Sequence, residues 1–380
     1  MQRWNINYLK ELYDKYYKLA FETKDPTLSL EYESTANSIL GVIERYDELV
    51  HKPRTQSVSI DIFSYRDVID NDRDLIMRYG YSFPCIRDFN EYNGRLDINP
   101  QNLTRINTTV NKVLQVSRGF YDQFDSRFRD TYIKMSRNFR NTLHFYKLTP
   151  GVKEFGQTYS IYKTDITFFE LGYCNSAQDY ISAIHEFGHG ISCSLNQEAM
   201  WDYEKYCLIE VDSLFFELLG LDYIGQTLNC QQDSFTINLE VLEDYLYSAK
   251  LICTKLDMYD SLTYKDLKNK RKIKKYLATE SDYDKKGIED VINTQMRELM
   301  HYIVSYLTAV ELYLIYQVSP ETALDLLFEI INHSERNNQK YLEYIRSLGL
   351  EPGKNFDRYI EVLMNKAKDL KDEKSLRYKN

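Results

Sequence analysis

A mainly α-helical chain with one small β-sheet is the fold class this sequence predicts. Apolar residues recur three and four positions apart through most of the 380 residues, the spacing of helices that each bury one face. One stretch, QTYSIYKTDITFFELGY (157–173), is instead dense in β-branched and aromatic residues around a Lys163-Thr164-Asp165 turn signal. It runs directly into a helical segment, ISAIHEFGHGISCS (181–194), so the sheet is expected beside that helix.

In chain order, residues 4–23 and 28–50 carry Leu, Ile, Tyr and Phe at helical spacing, and Lys24-Asp25-Pro26-Thr27 breaks them into a hairpin. SVSIDIF (57–63) alternates apolar and polar residues as a short strand does. From Asp67 to Asn99, turn signals and short apolar runs are mixed, and no element stands out. Leu103 to Phe145 reads as one or two long helices with Val110, Val113, Leu114, Val116 and Phe120 as a buried stripe. Composition shifts at Thr149-Pro150-Gly151, which divides the chain into an N-terminal helical region, 1–147, and a second region, 148–380, packed together as one unit. After it come the hairpin or paired strands of 157–173, and then the helix through 194 with Asn175 and Ser176 as candidate caps. Further helices are expected at about 201–225, 236–257 and 285–318, then from Pro320, and at 337–348 and 355–370.

Composition narrows the classes of function. A formal charge of −9 disfavours nucleic acid as a partner, because phosphate binding calls for a basic face. The one basic run, KDLKNKRKIKK (265–275), is followed at once by acids and reads as a solvated helix or loop. Six scattered cysteines without a C-x-x-C pair suit reduced, intracellular thiols. The N-terminal segment lacks the apolar core of a secretory signal, and the cytoplasm is the expected location. YIVSYLTAVELYLIYQV (302–318) approaches membrane-spanning length, but Glu311 near its middle argues for a helix buried in protein, so no membrane partner is expected. No signal sets an oligomeric state.

Chemistry concentrates at His185-Glu186-Phe187-Gly188-His189. On a helix, positions four apart lie on one face, so both imidazoles can address one ion while Glu186 reaches a water on it. H-E-x-x-H on a helix is the zinc-hydrolase arrangement of two nitrogen ligands and a carboxylate base. A catalytic zinc needs a third protein ligand. Glu210 fits, because Leu208, Val211, Leu214, Phe215 and Leu218 bury its helix and an unpartnered buried carboxylate is costly. Glu204, in a more polar stretch, is the rival. Glu217, two turns beyond Glu210, is either a hydrogen-bond partner of the ligating histidines or an ordinary surface acid.

At this point the chain resembles the thimet oligopeptidase and oligoendopeptidase F family of zinc metallopeptidases. ITFFELGYCNSAQDYISAIHEFGHGI is similar to that family's strand and metal helix, and IEVDSLFFE (209–217) to its third-ligand segment, a Glu followed three residues later by Ser. The resemblance implies one zinc ion per chain on His185, His189 and Glu210, with Glu186 as catalytic base. MHYIVSYLTAVELY is similar to a third motif, a His followed by tyrosines four apart. It implies that His301, Tyr302 and Tyr306 belong to the site, the tyrosines donating to the oxyanion or the substrate backbone. A fold of two helical lobes flanking a substrate cleft is implied, as is cleavage of short peptide substrates, with the strand near 166–173 expected to pair with the peptide backbone. A catalytically silent peptide-binding protein is the alternative. The resemblance covers about residues 145–365. The chain is shorter than typical members, chiefly ahead of the motif, and has Ser192 where many carry a further His.

Overall fold

The structure, a computed structural model, describes residues 3–51, 65–79, 83–148, 156–196, 206–333 and 338–379. The expected strand at 57–63, the 149–151 break and Glu204 lie outside the described residues.

The chain begins with α1 (Ile6–Glu22), α2 (Pro26–His51), α3 (Tyr65–Tyr79), α4 (Phe83–Asn90), α5 (Tyr92–Arg95) and β1 (Leu96–Ile98). Then come α6 (Val110–Tyr121), α7 (Ser126–Ser136), α8 (Phe139–Thr142), β2 (Leu143–Lys147), β3 (Gly156–Ser160) and β4 (Thr167–Tyr173). α9 (Gln178–Leu195), α10 (Tyr206–Thr227) and α11 (Gln231–Ser261) follow, then α12 (Tyr264–Leu267), α13 (Lys270–Glu280), α14 (Lys285–Asn293) and α15 (Met296–Tyr316). The last elements are α16 (Pro320–Asn332), α17 (Asn338–Ser347), α18 (Phe356–Asp369) and β5 (Leu376–Tyr378). The fold is mainly helical with a small sheet beside α9, as the sequence predicts.

Two compact units share the chain. One comprises Met1–Val58, Asn102–Ser234 and Leu327–Arg336; the other comprises Ser59–Gln101, Phe235–Leu326 and Asn337–Asn380. The sequence-based regions 1–147 and 148–380 cut the chain once, whereas each unit gathers three separate segments. Strand pairing gives the reason: β2, before residue 148, is hydrogen-bonded along its length to β4, after it.

In the first unit the sheet has the order β2-β4-β3, with β2 parallel and β3 antiparallel to β4. A strand covered on both faces needs a near-continuous apolar run, and Thr167–Gly172 is buried throughout. Lys163, at φ 51, turns the chain between β3 and β4 where the turn signal stands. Because β4 is the central strand, paired to β2 on one edge and β3 on the other, it has no edge left for a peptide, which corrects the expectation for 166–173; among the described residues the outer edges are those of β2 and β3. One face of the sheet packs under the α1–α2 hairpin, with Trp4, Leu9, Leu12, Ile39, Val42, Ile161 and Phe168 as a core. Trp4 Nε1 also donates to Phe169 O at 2.8 Å, which satisfies the indole N–H of a buried ring. Asp25 starts α2 by accepting from Thr27 N and Leu28 N, and Pro26 fills the first helical position where no N–H is needed.

The other face of the sheet carries α9. Phe187 stacks on Phe139 at 4.8 Å and meets Phe169 edge-on at 5.2 Å. α10 lies close behind: a Cβ on Gly188 would stand 3.1 Å from Ser213 Cα, so this glycine sets the interhelical approach. The start of α9 differs from expectation. Asn175 and Ser176 do not cap it with their side chains; Asp179, in the first turn, accepts from the backbone N–H groups of Cys174, Asn175 and Ser176. Asn175 adopts φ 66 in the resulting turn.

The segment 103–145 contains α6, α7, α8 and β2 rather than one or two long helices. α6 stops at Tyr121, and Asp125 starts α7 by accepting from Arg127 N. In the second unit, the expected helix 285–318 is likewise two, α14 and α15, parted at Thr294–Gln295. Leu299–Tyr316 within α15 is long and apolar enough to cross a membrane, yet 78% of that window is buried. Its Glu311 accepts from Asn355 N at 2.9 Å and Asn355 Nδ2 at 2.8 Å, at the start of α18. The 265–275 run lies on α12 and α13, where Lys272 pairs with Asp266 and Lys270 and Lys274 pair with Glu289.

Candidate metal centre

α9 presents His185 and His189 one turn apart, and α10 brings Glu210 to them across the Gly188 contact. His185 Nε2 lies 3.7 Å and His189 Nε2 3.6 Å from Glu210 Oε2. One ligand atom from each of the three lies within 4.8 Å of the others. Two atoms that each bind one tetrahedral zinc at about 2.0–2.2 Å stand about 3.3–3.6 Å apart, so the donor set fits that ion. The orientation is fixed from behind. His185 Nδ1 donates to Glu217 Oε2 at 2.7 Å, which commits Nε2 to the cluster and settles the role of Glu217 as partner rather than surface acid. Ser213 Oγ donates to Glu210 O at 3.1 Å, bracing the helix at the third donor.

Electrostatics follow from packing two histidines among four acids. Burial disfavours a charged His185, but the bonded Glu217 carboxylate, with Glu186 and Glu210, raises its pKa to about 10. In the metal-free chain this imidazole therefore holds a proton that a cation must displace. Burial raises the Glu186 pKa to about 7, and the His185 charge and a hydrogen bond from Thr158 restrain the rise. Asp212, fully buried, is held well above the usual carboxylate range by its burial. It accepts a hydrogen bond from Ser192 Oγ. That contact gives Ser192, the departure noted in the sequence, a partner on α10.

Two features at Glu186 escaped the sequence reading. Thr158 Oγ1 on β3 stands 2.6 Å from Glu186 Oε2 and 3.1 Å from Glu186 O. Gly156, two residues earlier on the same strand face, leaves room for the glutamate: a Cβ there would lie 2.4 Å from Glu186 Cγ. The only signal in the sequence is the period of two that places 156 and 158 together.

His301, Tyr302 and Tyr306 lie on α15 in the second unit. His301 is buried, and burial, with Arg297 nearby, lowers its pKa to about 4. Tyr306 is also fully buried, stacked on Tyr245 at 4.3 Å and near Phe89 and Phe356. Tyr302 is the partly exposed member of the three.

No protein-family model matches the chain, and no curated protein matches it in sequence. Solved structures do. An oligoendopeptidase F aligns with a TM-score of 0.50 and 15% identity over 96% of this chain and 75% of its own. PZ peptidase A, solved with an inhibitor, aligns with a TM-score of 0.51 and 11% identity over 96% of this chain and 76% of its own. The chain therefore shares the oligoendopeptidase F fold, and the likeness first seen at 145–365 extends along nearly all of it.

Proposed function

From that shared fold and the three converging donor atoms, we propose that this chain is a zinc-dependent metallopeptidase that hydrolyses peptide bonds in short oligopeptides. One observation carries the reading: two imidazole nitrogens and a carboxylate oxygen from two helices meet within 4.8 Å, with Glu186 next to the first of them. His185, His189 and Glu210 would hold one zinc ion per chain, which when bound would supply Lewis acidity to the attacking water and the scissile carbonyl. Glu186 is the general base: its carboxylate takes the proton of the attacking water and delivers it to the departing amine. Glu217 keeps His185 in the tautomer that leaves Nε2 free to ligate.

The resemblance assigns the oxyanion contact to Tyr302 or Tyr306, with His301 beside them. We favour Tyr302, whose partial exposure suits contact with substrate, whereas Tyr306 is enclosed by aromatic rings. The peptide is assigned to the outer edge of β3, where main-chain hydrogen bonds would select for extended shape rather than for one side chain. Among the described residues, Cys85, Cys174, Cys193, Cys230 and Cys253 form no disulfide, which supports a cytoplasmic setting.

The test is incubation of the purified chain with a mixed peptide library, before and after chelation. Cleavage should vanish with the metal, return with zinc, and fall by roughly 10²–10⁴-fold in Glu186→Gln. Glu186→Gln should still bind one zinc ion. Comparable cleavage by both proteins would remove Glu186 as the base; zinc binding without any cleavage would instead make the chain a peptide-binding relative.

A further inference from the structure

The reaction proposed above requires Glu186 to take up a proton and pass it on without swinging away. Nothing in the helix itself ensures this. A glutamate side chain has three rotatable bonds, and its carboxylate is confined only if a neighbour confines it. β3 supplies two such constraints from outside α9. Gly156 places bare backbone against Glu186, where a Cβ would come 2.4 Å from Cγ and 2.6 Å from Oε1. Thr158 places a hydroxyl 2.6 Å from Oε2.

We propose that Thr158 is a positioning residue for Glu186, holding its carboxyl group in one orientation through the proton step. The inference rests on the reading of Glu186 as the base. Facing the carboxylate, Thr158 Oγ1 donates to Oε2. When the carboxyl group holds the proton on Oε1, Oγ1 goes on donating to Oε2, which is then the carbonyl oxygen, so the proton is left for the departing amine and Glu186 need not move. Oγ1 also lies 3.1 Å from Glu186 O, which keeps the hydroxyl against the same residue. The strand also explains why the hydroxyl stays put: β3 is paired with β4 from Gly156↔Leu171 to Ser160↔Thr167, and the β-branched threonine has a stiff χ1.

Thr158→Val tests this, because it replaces the hydroxyl with a methyl group of nearly the same size and suits a strand equally well. Infrared difference spectra between the wild type and Glu186→Gln isolate the carboxyl bands of Glu186 without reference to activity. We expect those bands to shift in Thr158→Val and to return in Thr158→Ser. In peptide cleavage, kcat should fall by about 10–100-fold in Thr158→Val with KM and zinc affinity unchanged, and Thr158→Ser should recover most of it. Thr158→Ala serves the same comparison should the valine variant fold poorly. Unmoved bands in the hydroxyl-free variants would overturn the contact, whatever the activity. Shifted bands with unchanged kcat would overturn the positioning role. A wild type that cleaves nothing, yet shows the band shift, would retire the peptidase reading and leave the Thr158 contact standing.

Discussion

Glu217 decides which nitrogen of His185 is left to face a metal, because its carboxylate accepts a hydrogen bond from Nδ1 at 2.7 Å. Glu217→Ala should therefore weaken zinc binding by about 10–100-fold, measured by competition with a chelator, with helical content unchanged. The convergence of His185, His189 and Glu210 was legible in the sequence for a simple reason. Residues 185, 186 and 189 are fixed relative to one another by helix geometry alone, and Glu210 announces itself as an acid among Leu, Val and Phe. Thr158 was not legible, because its hydrogen bond spans 28 positions and depends on how β3 settles against α9. The same holds for Ser192, whose partner Asp212 could be assigned only once α9 and α10 were packed together. His301 offers a residue-scale test of a different kind. The unfolded chain binds a proton there near pH 6.5, whereas the folded chain resists until about pH 4. Its contribution is intact above pH 6.5 and is lost as the pH falls towards 4, at most about 3 kcal/mol. Urea titrations across that range should show a steeper fall for wild type than for His301→Gln.

Elements are joined here by a few close approaches. The candidate metal site depends on the contact of α9 and α10 at Gly188, so Gly188→Ala should force the helices apart by a fraction of an ångström. We expect zinc affinity to drop in that variant, with a stability cost of about 1–3 kcal/mol from overpacking, read by chelator competition and by urea unfolding. In the second unit, Asp72 on α3 accepts from Met296 N at the first residue of α15, from Tyr259 OH and from the buried Lys255 at 2.7 Å. Asp72→Ala would leave that ammonium buried and unpaired, and should cost about 3–5 kcal/mol in urea unfolding. Helices with sharp stops, such as α1 and α2 around Asp25-Pro26, were readable locally. The division of 103–145 into three helices and a strand was not, because Leu143–Lys147 becomes a strand only through its partner β4, which lies on the far side of the 149–155 segment.

Considered as a whole, the molecule keeps its candidate metal donors, His185, His189 and Glu210, within one of its two units. Zinc at 100 times its dissociation constant should add about 2.7 kcal/mol to opening of the segments it ties together. Hydrogen exchange should accordingly slow in α9 and α10 when zinc is added, and His189→Ala should abolish the effect. The way the units are assembled also bears on synthesis. The donor-bearing unit takes its last described piece from residues 327–333, where Phe328 sits beside Phe128 and Arg127, and Ile331 O accepts from Asn196 Nδ2. A ribosome that has delivered both histidines and Glu210 has therefore still not delivered everything their surroundings require. The nascent chain must carry an unfinished, largely apolar half-structure for more than a hundred further codons, a long window in which a chaperone would find something to hold.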